Sequence, residues 1–184
     1  MHTLIVGRTF SGKSALAKRM GSHIRVSKVE VLAYNPTGEK GYTERDSFGC
    51  AAADWETADP QEFIDEVTER VNTSPKKRIL IVDEAHTLFA KKEGADYNWL
   101  ATRGRHYGLS VIAITQKATE LNTTFRGQCD TVFLFRCSLT DAKFIADEYG
   151  DAQFRECTQL PRGTYMKISA LEPTKKGVVF EERR

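Results

Sequence analysis

The run Thr3-Leu-Ile-Val6, followed by Gly7-Arg-Thr-Phe-Ser-Gly12-Lys13-Ser14, decides the fold of this chain. Its second part matches the G-x-x-x-x-G-K-[ST] phosphate-binding loop, whose backbone N–H groups surround phosphate oxygens. The apolar run predicts a buried strand that enters the loop, and residues 13–20 predict a helix that leaves it. Because the motif stands in the structural context that it requires, we predict that this segment binds a nucleoside triphosphate.

The loop residues have separate predicted roles. Lys13 is expected to bridge the β- and γ-phosphates of ATP as part of the catalytic machinery, and the Ser14 hydroxyl is expected to bind Mg²⁺. ATP and Mg²⁺ are therefore the predicted cofactors. The predicted nucleotide-binding residues are Gly7, Arg8, Thr9, Phe10, Ser11, Gly12, Lys13, Ser14 and Ala15.

Length and composition limit the possible classes of nucleotide enzyme. The 184 residues predict one P-loop ATPase domain over residues 1–184, with a core up to about residue 150 and a tail from about residue 160. The formal net charge of +2 gives no strong overall attraction to nucleic acid. The cysteines lack metal-ligand spacing, so we expect buried or free thiols in a reducing compartment. Without a leader pattern or a long apolar stretch, the chain is expected to be neither exported nor membrane-spanning by itself.

Short β-rich runs alternate with helical patterns, which predicts an α/β fold with parallel strands joined by crossover helices. Asp59-Pro60 begins one predicted helix, with Phe63, Ile64, Val67 and Val71 as its buried stripe. Two further helices are predicted at about 96–107 and 141–149. The tail that begins at the Pro161-Arg162-Gly163 turn predicts antiparallel edge strands, and residues 35–58 predict a long loop. The predicted core strands are residues 3–6, 29–33, 79–82, 110–115 and 131–135.

A second motif delivers two acids at the end of the apolar strand that precedes Asp83 and Glu84. Ligands of open α/β sheets bind at the carboxyl ends of the strands, so Asp83 is predicted to hold Mg²⁺. Glu84 is predicted to be the catalytic base that activates the attacking water. The letters Asp83-Glu84-Ala85-His86 also spell the DEAH box of two-domain helicases, which we regard as a coincidence because those enzymes need a second motor domain.

Gln116 follows the apolar strand that ends at Thr115. Its amide group can hydrogen-bond a γ-phosphate oxygen or the attacking water. A strand that follows the phosphate and acidic strands commonly ends in such a polar sensor, so Gln116 is a predicted catalytic residue.

Several segments together resemble the FtsK-HerA superfamily of DNA-pumping ATPases. They are the Asp83-Glu84 strand end, the helix end Arg103-Gly-Arg-His-Tyr-Gly108, the strand that ends in Thr115-Gln116, the turn Tyr34-Asn-Pro-Thr-Gly-Glu39 and the region 126–136. The similarity spans residues 4–163 and implies a RecA-like, additional-strand P-loop NTPase with a mostly parallel sheet flanked by helices. Asn35 departs from the family, which often has aspartate at that position.

Within this superfamily, the chain is closest in size and organisation to the genome-packaging ATPases of tectivirus-type, internal-membrane viruses. The resemblance implies a hexameric ring that pumps double-stranded DNA, with capsid or membrane vertex proteins as further partners. It also implies a location in the host cytoplasm and in association with the virion. An arginine finger from a neighbouring subunit is expected, with Arg105, Arg103 and Arg126 as candidates.

Other interpretations of the chain stay open. A small-molecule or nucleoside kinase shares the loop and the size, and an ATP-dependent assembly switch would hydrolyse slowly without DNA stimulation. For a motor, the basic residues in the DNA channel would contact backbone phosphates. Candidates for these contacts are Lys91, Lys92, Lys175, Lys176, Arg183 and Arg184.

Overall fold

One eight-stranded sheet organises the computed structural model, which describes residues 1–38, 41–45, 49–90, 97–169 and 172–180. The strand order is β3-β2-β4-β5-β1-β6-β7-β8. The first six strands in this order are parallel, and β7 and β8 are antiparallel to their neighbours. The strands are β1 (His2–Val6), β2 (Glu30–Tyr34), β3 (Trp55–Thr57), β4 (Arg78–Val82), β5 (Leu109–Thr115), β6 (Cys129–Phe135), β7 (Thr164–Ser169) and β8 (Glu172–Val178).

This topology confirms the predicted fold class. Strand β5 lies between β1, which enters the phosphate loop, and β4, which ends in the acidic pair. That insertion is the additional strand of RecA-like NTPases. The antiparallel strands β7 and β8 form one edge of the sheet, as the alternating pattern of the tail predicts.

Helices cover both faces of the sheet, and their starts follow from local sequence. The Asp59 carboxylate accepts a hydrogen bond from the backbone N–H of Glu62, and Pro60 occupies the first turn of α2. Gly150, at φ 68°, ends α5 in the left-handed conformation. None of the helices in the described ranges is long and apolar enough to cross a membrane. The helices are α1 (Lys13–Val26), α2 (Pro60–Thr73), α3 (Trp99–Thr102), α4 (Thr123–Arg126) and α5 (Leu139–Tyr149).

The core has two layers because neighbouring strand residues point to opposite faces. Leu4 and Val6 of β1 pack on the face that α2, α3, α4 and α5 cover. Ile5 packs on the other face with Leu16 and Ala17 of α1. Burial on both faces explains why the parallel strands have continuous apolar sequences.

The prediction of one long loop over residues 35–58 is wrong in one part. Trp55–Thr57 forms β3, which pairs in parallel with β2 at the sheet edge. Asp54 supports this pairing, since its carboxylate accepts a hydrogen bond from the Val31 N–H at 2.8 Å. A three-residue, half-buried edge strand is too short to produce a recognisable alternation in the sequence.

The prediction of one helix over about 96–107 is also inaccurate. Residue 96 lies outside the described residues, and the helical segment is divided into α3 and a 3-10 turn at Gly104–Tyr107. A Cβ atom on Gly104 would lie 3.2 Å from the Leu109 Cβ. The glycine therefore permits a close approach to β5 and weakens the helix at the same point.

The ring of His2 is fully buried, and both ring nitrogens have hydrogen-bonding partners. Nδ1 accepts from the Val111 N–H at 3.0 Å, and Nε2 lies 3.0 Å from the Ala101 carbonyl oxygen. Only the neutral ring can accept and donate in this way. Burial, assisted by the charge of Arg105, lowers the pKa of His2 from 6.5 to about 4.

This shift predicts a pH-dependent stability. Because the pKa is depressed in the folded state, the unfolded chain binds the proton more readily between pH 6.5 and about 4. The contribution of His2 is present above pH 6.5 and is lost as the pH falls through this window. The free energy of unfolding would be measured in urea as the pH is lowered from 6.5 to about 4. We expect it to fall by up to about 3 kcal/mol more in the wild type than in His2→Gln. Glutamine can donate and accept at this position but cannot be protonated, so parallel pH curves for the two proteins would contradict the assignment.

Candidate active site

Three strand ends bring the predicted catalytic residues together. Strand β1 lies next to β5, with Val6 opposite Thr115, and β5 lies next to β4, with Ala113 opposite Val82. The phosphate loop, Gln116 and the Asp83-Glu84 pair therefore meet at the carboxyl edge of the sheet. Residues that are separated by up to about a hundred positions in sequence become neighbours in this way.

The backbone of the predicted phosphate loop contains a glycine in the left-handed region. Gly12, immediately before α1, adopts φ 113° and ψ 4°. Residues other than glycine rarely adopt this backbone conformation. Lys13 is only 8% exposed, and its Nζ donates to the Arg8 carbonyl oxygen at 3.0 Å. Burial lowers the pKa of Lys13, while Glu84 and Asp83 act in the opposite direction. A cation held inside the loop at the start of a helix suits a polyphosphate ligand.

The oxygen atoms next to Lys13 suit a hard divalent cation. The Ser14 hydroxyl donates to Asp83 Oδ2 at 3.4 Å, so the two predicted Mg²⁺ ligands lie side by side. Within the described ranges, no group of three or more His, Cys, Asp or Glu residues could hold a metal ion. The Ser14–Asp83 pair fits Mg²⁺, which uses one or two protein ligands together with phosphate oxygens and water.

Tyr42 is a neighbour of Asp83 that the sequence does not reveal. Its hydroxyl donates to Asp83 Oδ2 at 2.6 Å, and its side chain is almost fully buried. Burial raises the pKa of Asp83, and the hydrogen bond from Tyr42 partly offsets this effect. Burial also raises the pKa of Tyr42 well above 10, so the hydroxyl keeps its proton and remains a donor. Tyr42 therefore orients the Asp83 carboxylate.

Glu84 has a strained backbone and a well-defined side chain. Its φ of 44° and ψ of 51° place it in the left-handed region, which costs a non-glycine residue about 1–3 kcal/mol. Its Oε1 accepts from Gln116 Nε2 at 2.9 Å, and its Oε2 lies 3.4 Å from His86 Nδ1. Neither Oε2 nor His86 Nδ1 has a hydrogen-bond partner among the described residues. One carboxylate oxygen is thus held in place, while the other has unused capacity to accept a hydrogen bond.

Gln116 joins the acidic pair to the phosphate loop. Its Oε1 accepts from the Thr9 hydroxyl at 3.0 Å, and its Nε2 donates to Glu84. A displacement of Thr9 would therefore be transmitted to the carboxylate through one side chain. The role of Gln116 as a sensor of the γ-phosphate stays a prediction.

The cleft above these groups has a volume of about 380 Å³. Besides the predicted residues, it is lined by Thr37, Arg162 and Phe180, which sequence reasoning did not connect with the site. Arg162 lies in the turn before the tail strands. The neighbouring Gly163 was the only sequence feature that could have indicated a close approach of this turn to the site. A larger cavity of about 1150 Å³ lies at the amino ends of β2 and β4, next to Glu30 and Arg78. The predicted catalytic residues line the smaller cleft and not this cavity, so the smaller cleft is the candidate active site.

The candidate arginine fingers occupy different environments. Arg105 donates to Asp130 Oδ2 at 3.0 Å and to the Gln128 carbonyl oxygen, at the amino edge of the sheet. Arg103 is exposed, and within the described chain no hydrogen bond or ion pair of its side chain is formed. With seven residues in β5 and a rise of about 3.3 Å per residue, this edge lies roughly 20 Å from the phosphate loop.

Arg126 differs from the other two candidates because it is buried. Its guanidinium group pairs with Glu148 at 3.0 Å, donates to the Ala118 and Leu121 carbonyl oxygens and lies 4.6 Å from the Phe144 ring centroid. These contacts hold the Arg126 side chain in place, with 3% of the residue exposed. Use of Arg126 as a finger would require these contacts to break, and its finger role stays a prediction.

The predicted DNA-contacting residues either lie outside the described residues or are paired with acidic residues. Lys91, Lys92, Arg183 and Arg184 lie outside the described residues. Lys175 pairs with Glu172 at 3.2 Å, and Lys176 pairs with Glu156 at 3.0 Å. Cys129, Cys137 and Cys157 are buried thiols, and Cys50 is exposed.

Solved structures with the same fold include a viral genome-packaging NTPase and VirB4. The genome-packaging NTPase B204 from Sulfolobus turreted icosahedral virus 2, in complex with sulfate, aligns with a TM-score of 0.77 and 19% identity over 99% of this chain and 98% of that chain. The same protein in complex with ATP-gammaS aligns with a TM-score of 0.74 and 18% identity over 95% of both chains. VirB4 of Thermoanaerobacter pseudethanolicus aligns with a TM-score of 0.73 and 11% identity over 99% of this chain and 90% of that chain. The resemblance expected from the sequence is confirmed at the level of the fold.

Sequence comparison finds a similar protein and a matching family model. The "Probable helicase MJECL08" of Methanocaldococcus jannaschii is 29% identical over 117 residues, which are 59% of this chain and 22% of that protein. The chain thus spans about a fifth of the length of this relative. The model of the AAA domain matches residues 1–124, more than half of the chain. Together with the phosphate loop and the sheet order, this match shows that the chain belongs to the AAA domain family of P-loop NTPases.

Proposed function

We propose that this protein is an ATP-hydrolysing, oligomeric motor that translocates double-stranded DNA and packages a viral genome into a preformed capsid. The observation that carries the proposal is the hydrogen-bonded chain from Thr9 through Gln116 to Glu84, beside the Ser14–Asp83 pair. A hydrolase needs this combination, because it must hold phosphates, activate water and detect when the γ-phosphate has left.

The residues of the cleft suggest how ATP would be hydrolysed. Lys13 leaves the Arg8 carbonyl oxygen to contact the β- and γ-phosphates, and the loop N–H groups bind the remaining oxygens. Ser14 and Asp83 would hold Mg²⁺, which supplies charge neutralisation at the phosphates when bound. Glu84 accepts a proton from the water whose oxygen attacks the γ-phosphorus, and the bond to the β-phosphate oxygen breaks. The products are ADP and inorganic phosphate.

A neighbouring subunit would complete the site. Arg103 and Arg105 lie at the edge of the sheet opposite the loop, so neither can reach the nucleotide of its own chain. In a ring, this edge could face the cleft of the next subunit and supply a guanidinium group to the transition state. Arg103 is the more available of the two, since Arg105 would first have to release Asp130.

The relatives support the motor more than the other interpretations. B204 is described as a genome-packaging NTPase, and VirB4 and the coupling protein TcpA of the pCW3 conjugation system share the fold. By analogy with these proteins, we propose that the chain forms a hexameric ring and acts on double-stranded DNA. Capsid or membrane vertex proteins are further proposed partners. The host cytoplasm and the virion are the corresponding locations.

Steady-state ATPase activity tests this function. We expect activity to rise more steeply than linearly with protein concentration, because each site needs an arginine from another subunit. Long double-stranded DNA should stimulate the activity further, and Lys13→Ala should serve as the inactive control. Activity that is linear in concentration and indifferent to DNA would contradict the motor. It would instead favour a monomeric kinase or an assembly switch.

A further inference from the structure

The tail of the chain is hydrogen-bonded to the phosphate loop. The Gly163 N–H donates to the Ser11 carbonyl oxygen at 3.0 Å, and Arg162 Nε donates to the Phe10 carbonyl oxygen at 2.9 Å. The end of the tail closes onto the same turn, since the Val179 N–H donates to the Gly163 carbonyl oxygen at 2.7 Å. The loop is therefore bound on one side by residues that follow it by about 150 positions.

Phe180 lies directly against the loop as a result. A Cβ atom on Gly12 would be 3.2 Å from Phe180 Cε1, and one on Gly163 would be 2.2 Å from the Phe180 carbonyl oxygen. Gly163 adopts φ 80°, so glycine at this turn permits both the backbone conformation and the close approach of Phe180. The guanidinium carbon of Arg162 lies 5.6 Å from the centroid of the Phe180 ring.

The order of the strands places different residues on the two sides of the phosphate loop. Glu84 and Gln116 follow β4 and β5, which lie on one side of β1 and its loop. Arg162 and Phe180 flank β7 and β8, which lie on the other side. Both residues line the same cleft as Gly12, Lys13 and Ser14. If the γ-phosphate is next to Glu84, the nucleoside must leave the loop toward Arg162 and Phe180.

We propose that Phe180 and Arg162 form the binding site for the nucleobase, with a purine stacked on the aromatic ring and the planar guanidinium group beside it. This inference rests on the proposed binding of ATP at the phosphate loop. Base–aromatic stacking and the contact of an arginine with a π-face both favour such a site. The loop and Lys13 bind the phosphates, and the tail binds the other end of the same ligand.

Comparison of two ligands tests the site. Calorimetric titrations of the full chain would use ATP and inorganic triphosphate, both with Mg²⁺, because triphosphate lacks the base and the ribose. We expect Phe180→Ala to weaken ATP binding by roughly 10- to 100-fold and to leave triphosphate binding unchanged. Phe180→Tyr, which keeps the ring, should bind ATP like the wild type. Phe180→Leu is the matched control, since it keeps apolar volume against Gly163 but has no face for stacking, and it should behave like Phe180→Ala.

Two results would overturn the base site. An equal loss of ATP and triphosphate binding in Phe180→Ala would show that the ring only supports the loop. Unchanged ATP binding in Phe180→Ala and Phe180→Leu would show that the base lies elsewhere. A wild-type protein that binds neither ligand would overturn the proposed nucleotide site itself, and this failure is distinguishable from the other two.

Discussion

Replacement of Glu84 by glutamine is expected to lower ATP turnover by about 10²- to 10⁴-fold, the range for loss of a general base. Glutamine has nearly the same shape and can still accept the hydrogen bond from Gln116 Nε2. It cannot take a proton from water. Nucleotide affinity should therefore be unchanged, because Lys13 and the loop remain in place.

Single-turnover hydrolysis and equilibrium ATP binding would be measured on the same Glu84→Gln preparation. Glu120→Gln is a suitable control, since Glu120 is an exposed carboxylate that pairs with Lys117 outside the cleft. Wild-type turnover in Glu84→Gln would exclude Glu84 as the base. A matching loss in Glu120→Gln would indicate a nonspecific effect.

Replacement of Lys13 by alanine is expected to reduce ATP affinity by at least about 100-fold, because two charge-assisted hydrogen bonds to phosphate are lost. Lys13 is a buried cation in the cleft, and its Nζ donates to the Arg8 carbonyl oxygen. The fold should persist, since the ammonium group forms no ion pair within the part of the chain that the structure describes. Calorimetric titration with ATP measures the loss, and circular dichroism checks the fold.

Lys117→Ala provides the matched control, because Lys117 is an exposed lysine at the same edge of the sheet. It should bind ATP like the wild type. Retained affinity in Lys13→Ala would count against the assignment of the phosphate loop, whatever the activity of the protein.

The strands and the phosphate loop were predictable because their signals are local. Apolar residues alternate between two covered faces in β1, β4 and β5, and this burial leaves a continuous apolar run in the sequence. The start of α2 at Asp59-Pro60 and the end of α5 at Gly150 depend on backbone chemistry within one turn. Strand β3 was missed because three half-buried residues are too few to show the alternation of apolar and polar residues that marks a strand.

The roles of the arginines could not be decided from sequence. Arg126 and Arg103 both stand near helix ends, but Glu148 and two carbonyl oxygens enclose Arg126. Burial of a guanidinium group depends on residues that are distant in sequence. The residues next to an arginine in the sequence therefore do not indicate whether it is buried.

The sequence by itself determined the α/β fold class, the phosphate loop and the acidic strand end, because each depends on residues within a few positions of one another. Only the tertiary structure decided which side chains complete the cleft. Tyr42 reaches Asp83 from the segment between β2 and β3, and Phe180 reaches Gly12 from the end of the chain. The physical reason is that parallel strands carry their ends to one edge whatever their order in the sequence, so contacts there depend on sheet topology.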